Sequence, residues 1–468
     1  VTDLGSIVKA YDIRGTVPDQ LNEDVARALG TAFILTLRQG GDESGTIVLA
    51  YDMRESSPGL AAAFAGGARA AGAGVIDAGL GSTDLLYYAS GQLDLPGAMF
   101  TASHNPAEYN GIKLCRAGAR PIGQDSGLAQ IRQLAEQLLR GEIDPPSPAG
   151  AETGLTRRDI LTEYAAHLRS LVDLSQIRPL RVVVDAGNGM AGLTVPAVLG
   201  DAALEPLPLT VVPLYFELDG SFPNHEANPL VPENLVDLQR AVQEHSADLG
   251  LAFDGDADRC FVVDERGEPV SPSAITALVA TRELAKHPGA TIIHNLITSA
   301  AVPEIITEHG GVPVRSRVGH SLIKERMAAT GAVFGGEHSA HYYFRDFWNA
   351  DTGMLAAMHV LAALGEQPRP LSELVAQFQR YVASGELNTR VVDPAATIEM
   401  VAERYSKETS DRLDGLTVQF PDRSWFNLRP SNTEPLLRLN VEAATEPRMV
   451  ELRDEVLALV REAGGADS

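Results

Sequence analysis

The sequence predicts an α/β protein: three related mixed α/β domains followed by a C-terminal α+β domain. Three observations carry that expectation. An apolar strand, a polar loop and a helix with Ala and Leu at helical spacing recur three times along the chain. The C-terminal segment instead groups several strands between two helices. A length of 468 residues suits three or four domains of ordinary size.

The first unit pairs the strand Thr46–Asp52 (TIVLAYD) with a helix from Gly59 to Ala71. The second follows the strand Arg181–Asp185 (RVVVD) with GNGMAG and an apolar helix. The third runs from Thr291–Asn295 (TIIHN) into a helix through Glu304 and Ile305. In the last domain a helix from Ala395 to Tyr405 precedes strands near Leu416–Phe420, Ser424–Leu428 and Leu436–Glu442, and a final helix spans Glu446–Arg461. Breaks are expected at the Pro-rich segment Asp144–Gly150, the turn near Glu265–Gly267 and Gly365–Pro370 (GEQPRP). The expected domains are therefore 1–150, 151–266, 267–370 and 371–468.

Hydrophobic residues make up 44% and charged residues 21%, an ordinary balance for a globular chain. Cys115 and Cys260 stand far apart and form no C-x-x-C pair, which speaks against a cysteine-rich metal site and for a reducing compartment. The opening residues show no basic start followed by an apolar run. No uninterrupted apolar stretch reaches the roughly 18 residues of a membrane helix. The expectation is a cytoplasmic protein without a membrane partner. A formal charge of −24, from 38 Lys+Arg against 62 Asp+Glu, argues against a nucleic-acid partner. A small anion remains compatible, because salt screens distant charge and a few local cations then dominate a pocket.

Four polar loops carry the candidate chemistry. Thr101–Pro106 (TASHNP) follows the apolar run Gly97–Phe100 and presents Ser103 and His104 on a turn closed by Asn-Pro. No G-x-S-x-G occurs, so an activated Ser103 needs another source of electrostatic help. Asp254–Arg259 (DGDADR) follows the apolar strand Leu249–Phe253. Alternation along extended backbone would turn Asp254, Asp256 and Asp258 to one side. Three carboxylates that close call for a cation, and all-oxygen ligands favour Mg²⁺ before Ca²⁺. Against an EF-hand, Arg259 stands where its loop needs glycine and strands flank the motif. Gly335–His341 (GGEHSAH) offers Glu337, Ser339 and His341 at alternate positions, a set suited to sugar hydroxyls. Arg429–Pro435 (RPSNTEP) offers a guanidinium fork with Ser431, Asn432 and Thr433 as neutral donors, a set suited to phosphate.

In this order TASHNP, DGDADR, GEHSAH and RPSNTEP resemble the α-D-phosphohexomutase family, of phosphomannomutase and phosphoglucomutase type, over nearly the whole chain. The resemblance implies four domains around a central active-site cleft, each giving one loop. It implies that Ser103 carries a phosphate and that Mg²⁺ bridges it to Asp254, Asp256 and Asp258. It further implies a hexose 1,6-bisphosphate that forms, turns over in the cleft and returns its other phosphate to Ser103. RPSNTEP matches the family's phosphate clamp, and Glu337 and Ser339 match its contacts to the sugar's C3 and C4 hydroxyls. Arg14, Lys113, Arg259, His320 and His341 stand at positions resembling its other cleft residues. His341, Lys113 and Arg259 are the candidates for general acid/base, and the sequence does not choose among them. The form of the third loop points to mannose phosphate, with glucose phosphates as further substrates and phosphoglucosamine as the alternative. Ala340 stands where glycine is frequent, and Ile297 about where some members place a basic residue. The sequence leaves monomer and homodimer open.

The rival from another class is a nicotinamide-dependent oxidoreductase, because Gly187–Gly192 (GNGMAG) is a G-x-G-x-x-G after a strand. Against it, Asp185 would face an anionic pyrophosphate, and the segment near Glu205 is Pro-rich. A phosphatase and a silent sugar-phosphate binder would share the four loops and differ only in outcome. Reorientation of an intermediate also predicts a hinge near Gly365–Pro370.

Overall fold

The computed structural model describes residues 3–42, 44–144, 154–431 and 436–467. Three of its sheets combine parallel and antiparallel strands, and the fourth is antiparallel. In the first, Thr46–Tyr51 lies between Gly74–Leu80 and Gly97–Phe100, parallel to both, and Tyr109–Arg116 runs antiparallel beyond Gly97–Phe100. In the second, Leu180–Asp185 lies parallel between Leu209–Leu214 and Leu249–Phe253, with Cys260–Asp264 antiparallel beyond. In the third, Thr291–Asn295 lies parallel between Val312–Ser316 and Phe334–Gly336, with Tyr342–Phe344 antiparallel beyond. The last sheet contains Leu416–Gln419, Trp425–Pro430, Leu436–Ala443 and Val382–Arg390 as neighbours.

This topology gives the first three polar loops the same seat. TASHNP, DGDADR and GEHSAH each join a parallel strand to the antiparallel strand beside it, and RPSNTEP joins two antiparallel strands. The repeated strands Thr46–Tyr51, Leu180–Asp185 and Thr291–Asn295 are the central partners against which the loop-bearing strands pair. Parallel strands covered on both faces require continuous apolar side chains, which explains runs such as Leu249–Phe253, buried throughout.

One apolar core runs through the first three domains, from Val48 and Met99 through Val183 and Leu251 to Phe334 and Phe378. The first domain has a second core beneath its other face, around Phe33, Phe64 and Phe100. The last domain has its own, around Val401, Phe426, Leu439 and Leu452. Two expected boundaries shift accordingly. The strand Pro269–Val270 pairs with Val262 and Val263, so the turn at Glu265–Gly267 lies inside a hairpin of the second sheet. The helix Leu371–Ala376 buries Leu371, Leu374 and Val375 in the shared core, so GEQPRP connects two helices of one body and the crossing to the last domain comes after Phe378. The break expected at Asp144–Gly150 falls largely outside the described residues. No helix among those described is long and apolar enough to cross a membrane.

Candidate active site

Ser103 is a non-glycine residue with φ of 50°, and its amide donates to Thr101 Oγ1 at 2.9 Å. This left-handed turn sends its hydroxyl across the domain boundary to donate to Asp254 Oδ2 at 2.8 Å. The three-aspartate loop Asp254–Arg259 approaches equally closely from the other side: a Cβ on Gly255 would lie 2.4 Å from the Ser103 carbonyl oxygen. Glycine is required there by contact, independently of φ.

Asp254, Asp256 and Asp258 are all buried, and each offers a carboxylate oxygen within 4.8 Å of the others. They converge through a tight turn and not through alternation along a strand. Ala257 is left-handed at φ 60° and its amide donates to the Asp254 carbonyl at 3.0 Å. Lys113, from the strand Tyr109–Arg116, donates to Asp256 Oδ2 at 2.7 Å and Asp258 Oδ2 at 2.6 Å. Arg259 Nε donates to Asp254 Oδ2 at 2.9 Å. Burial opposes the charge on Lys113, yet Asp256 and Asp258 hold its pKa well above the ordinary lysine value. Burial likewise opposes the charge on Arg259, and Asp254 and Asp258 more than offset it. Burial raises Asp254 to about 7, against the pull of Arg259. Asp256 Oδ1 and Asp258 Oδ1 are buried without hydrogen-bond partners. Such oxygens are costly unless a cation takes them, so this all-carboxylate set fits a hard divalent ion.

His104 lies beside the serine: its Nδ1 is 3.2 Å from Ser103 Oγ and accepts from Arg259 Nη2 at 2.6 Å. Burial, then Arg259 and Arg14, push its pKa well below the usual histidine value, so it is a neutral acceptor. Arg14 donates to Asn105 Oδ1 at 2.5 Å and Asp12 Oδ2 at 2.6 Å, which places it on the same loop.

The third loop is stitched to the second by a bridge between Arg259 and His341. His341 Nε2 is 3.8 Å from Asp258 Oδ1, while its Nδ1 is 2.9 Å from Ser339 Oγ and 3.7 Å from Glu337 Oε2. Glu337, Ser339 and His341 thus cluster as expected. Glu337 is buried and accepts from Tyr343 OH at 2.6 Å, Asn295 Nδ2 at 3.2 Å and the Gly319 amide at 3.3 Å. Ala340 is left-handed at φ 64°, which explains why glycine would suit that position. His320 begins the helix His320–Thr330; its side chain lies outside what is described. Ile297 is buried and lines a pocket between the third and last domains.

In the last domain Arg429 is buried. It donates to Asn440 Oδ1 at 2.7 Å and Asn427 Oδ1 at 3.3 Å, and it pairs with Glu386. The Ser431 amide donates to the Leu436 carbonyl at 2.8 Å. Asn432 and Thr433 lie outside the described residues. A cavity of about 730 Å³ has walls from three domains, including Tyr11, Lys324 and Asp414.

The glycines of GNGMAG serve close packing. A Cβ on Gly189 would lie 2.7 Å from the Gly255 carbonyl and one on Gly192 2.2 Å from the Phe216 carbonyl. Backbone of Gly255 lies against the second glycine, where a pyrophosphate would have to approach.

Four family models match in sequence. The phosphoglucomutase/phosphomannomutase α/β/α domains I, II and III match residues 5–140, 162–267 and 271–381, and the C-terminal domain matches 386–459. The chain belongs to the phosphoglucomutase/phosphomannomutase family. It is 43% identical over 457 residues to the phosphohexose mutases of Xanthomonas campestris, covering 96% of this chain and 98% of that one. It is 42% identical over 458 residues to a phosphomannomutase of Salmonella typhimurium, covering 96% and 97%. The crystal structure of a phosphoglucomutase/phosphomannomutase family protein from Burkholderia thailandensis superposes with a TM-score of 0.88 at 32% identity, over 100% of this chain and 99% of that one.

Several residues of this family site escaped the sequence. Thr83 opens the helix Thr83–Leu93 and grips the three-aspartate loop twice: its Oγ1 donates to Asp256 Oδ2 at 2.6 Å and its amide to the Asp256 carbonyl at 3.0 Å. Ser82 caps that helix, its hydroxyl accepting from the Leu85 amide at 3.3 Å, and nothing in such a local cap names Asp256. Asp351 offers an oxygen beside Asp258 and His341 and pairs with buried Lys324 at 2.5 Å.

Proposed function

We propose that the protein is a phosphomannomutase, interconverting mannose 1-phosphate and mannose 6-phosphate through phosphorylated Ser103 and a hexose 1,6-bisphosphate, with glucose phosphates as further substrates. The observation that carries this reading is the 2.8 Å contact between Ser103 Oγ and Asp254, at the mouth of the three-aspartate loop. The substrate follows from relatives named phosphomannomutase, matched over nearly their whole length.

Asp254, Asp256 and Asp258, with the phosphate on Ser103, would hold Mg²⁺, which offsets charge on the phosphoryl group in transfer. The remaining steps belong to the chain's own residues. Lys113 and Arg259 stay cationic among the aspartates and suit charge neutralisation better than proton uptake. His341 is then the group for the proton on the attacking hydroxyl. Glu337 and Ser339 orient the sugar ring. Arg429, Ser431, Asn432 and Thr433 hold the phosphate that is not reacting.

The test is isomerisation of mannose 1-phosphate, with Mg²⁺ and trace bisphosphate, by wild type and Ser103→Ala. The reading expects turnover and a phosphorylated Ser103 peptide in wild type, and neither in the variant. Release of inorganic phosphate in place of isomerisation would make the protein a phosphatase. Preference for glucosamine 1-phosphate would keep the mechanism and change the substrate.

A further inference from the structure

Arg54 lies directly beneath the serine loop. It follows the strand Thr46–Tyr51, is 2% exposed, and its Nε donates to Asp52 Oδ2 at 3.3 Å. Its two terminal nitrogens donate to four main-chain carbonyls of one loop. Nη1 reaches Pro106 at 2.8 Å and Tyr109 at 2.9 Å; Nη2 reaches Ser103 at 2.9 Å and Asn105 at 2.7 Å. A guanidinium has five N–H donors in a fixed plane, and all five are matched here. The second domain closes over it: Phe222 stacks 5.1 Å from the guanidinium carbon, and a Cβ on Gly220 would lie 2.6 Å from Arg54 Cα.

Ser103 needs such support. A left-handed non-glycine residue costs on the order of 1 kcal/mol and persists only where its surroundings over-determine it. Its carbonyl is caught between the Arg54 fork and Gly255 of the three-aspartate loop, so the main-chain turn from which its hydroxyl projects is held by these two contacts.

We propose that Arg54 is the positioning residue for Ser103, fixing the loop so that Oγ meets the Asp254 side of the metal site, with Phe222 holding the fork in register with the second domain. It touches neither substrate nor the transferred phosphate. The proposal rests on Ser103 as the phosphate carrier.

The experiment compares wild type, Arg54→Lys and Arg54→Ala for Ser103 phosphorylation by hexose 1,6-bisphosphate, kcat and KM for mannose 1-phosphate, and thermal midpoint. Lysine keeps the charge and loses the planar fork. Arg54→Lys should fold with an unchanged KM, while Ser103 phosphorylation and kcat both fall about a hundredfold, the scale of a 1 Å misplacement. Methylguanidinium should restore about tenfold of the lost rate in Arg54→Ala, as a hundredfold positioning defect partly refilled would allow. Wild-type kcat in Arg54→Lys would overturn the proposal, as would a kcat that falls only with the thermal midpoint and is not rescued. The carrier reading is checked apart, on wild type: if Ser103 takes no phosphate there, that reading fails and the proposal falls with it.

Discussion

Ser103 and the three aspartates stand on loops whose domains share one apolar core, whereas Arg429 stands on a sheet with a core of its own. The joints differ in the same sense. Between the first and third domains they are buried: Thr352 Oγ1 donates to Asp84 at 2.6 Å, Lys324 lies 4.0 Å from the Tyr87 ring, and a Cβ on Gly91 would strike Trp348 at 2.2 Å. Between the third and last domains many contacts are polar and at least partly exposed, as where Arg423 meets Glu304, or Arg315 meets Asp411. Phosphoryl transfer needs a fixed geometry, and an intermediate that must turn over needs a clamp that lets go. On the proposed mechanism, the two ends of the cleft meet these opposite demands.

The largest break in the comparison comes at the fixed end. Asp256→Asn removes one of the clustered carboxylate oxygens proposed to hold Mg²⁺ and weakens the contacts of Lys113 and Thr83 together. It should lower kcat about a thousandfold with the fold retained, as loss of a preorganised charge in a closed site does. Steady-state rates beside a Mg²⁺ titration check this, and a loss under tenfold would mean the aspartate end is not preorganised.

Asp84 sharpens the point at the joint itself. It accepts from Tyr164 and Thr352, with Ser82 beside it, and burial raises its pKa to about 6 although all three hydroxyls pull it down. A carboxyl whose folded pKa exceeds its unfolded value binds protons more tightly when folded, so stability falls as pH rises from about 4 to 6 and is flat above. The span from 3.8 to about 6 corresponds to about 3 kcal/mol. Denaturation of wild type against Asp84→Asn between pH 4.5 and 7.5 should show the wild type gaining relative stability toward acid. A pH-independent difference would mean Asp84 is ionised throughout.

How far this was readable in the sequence follows from where each group finds its partner. A polar loop after an apolar strand is a local signal, so Ser103, Asp254 and Glu337 stood out, and the order of their loops resembled one family. Thr83 meets Asp256 across 173 positions, a pairing that tertiary topology makes and no local pattern records. Arg54 carries no local mark of its role, because the carbonyls it holds lie about fifty positions further along the chain. GEQPRP had a linker's composition, yet both flanking helices bury their apolar faces in one core, so its prolines mark a turn within a body.

At the releasing end, Arg429→Ala should act on binding. The guanidinium is held by Asn440 and Glu386, and its loss also leaves Glu386 with Arg438 as partner at 3.4 Å. A charge-assisted contact contributes about 2 kcal/mol, so KM for mannose 1-phosphate should rise about thirtyfold while kcat changes little. Equal losses in kcat and kcat/KM would place the clamp inside the fixed machinery and erase the contrast.

The smallest effect is expected at the latch. Arg380, on the segment that leads into the last domain, binds both oxygens of Glu308 at 2.7 and 2.6 Å and reaches Glu304 at 3.3 Å, which ties that segment to the helix Ala301–Glu308 in a setting open to solvent. Exposed ion pairs contribute about 0.2–1 kcal/mol each and weaken with salt. Arg380→Ala should therefore leave the thermal midpoint nearly unchanged while it opens the cleft, seen as faster hydrogen exchange in Val382–Arg390 at low salt. Raising the salt should bring wild type to the exchange rate of the variant, because screening removes the same contact. If the two still differ at high salt, the latch is held by packing, and the last domain is bound to the third in the way the first three are bound to one another.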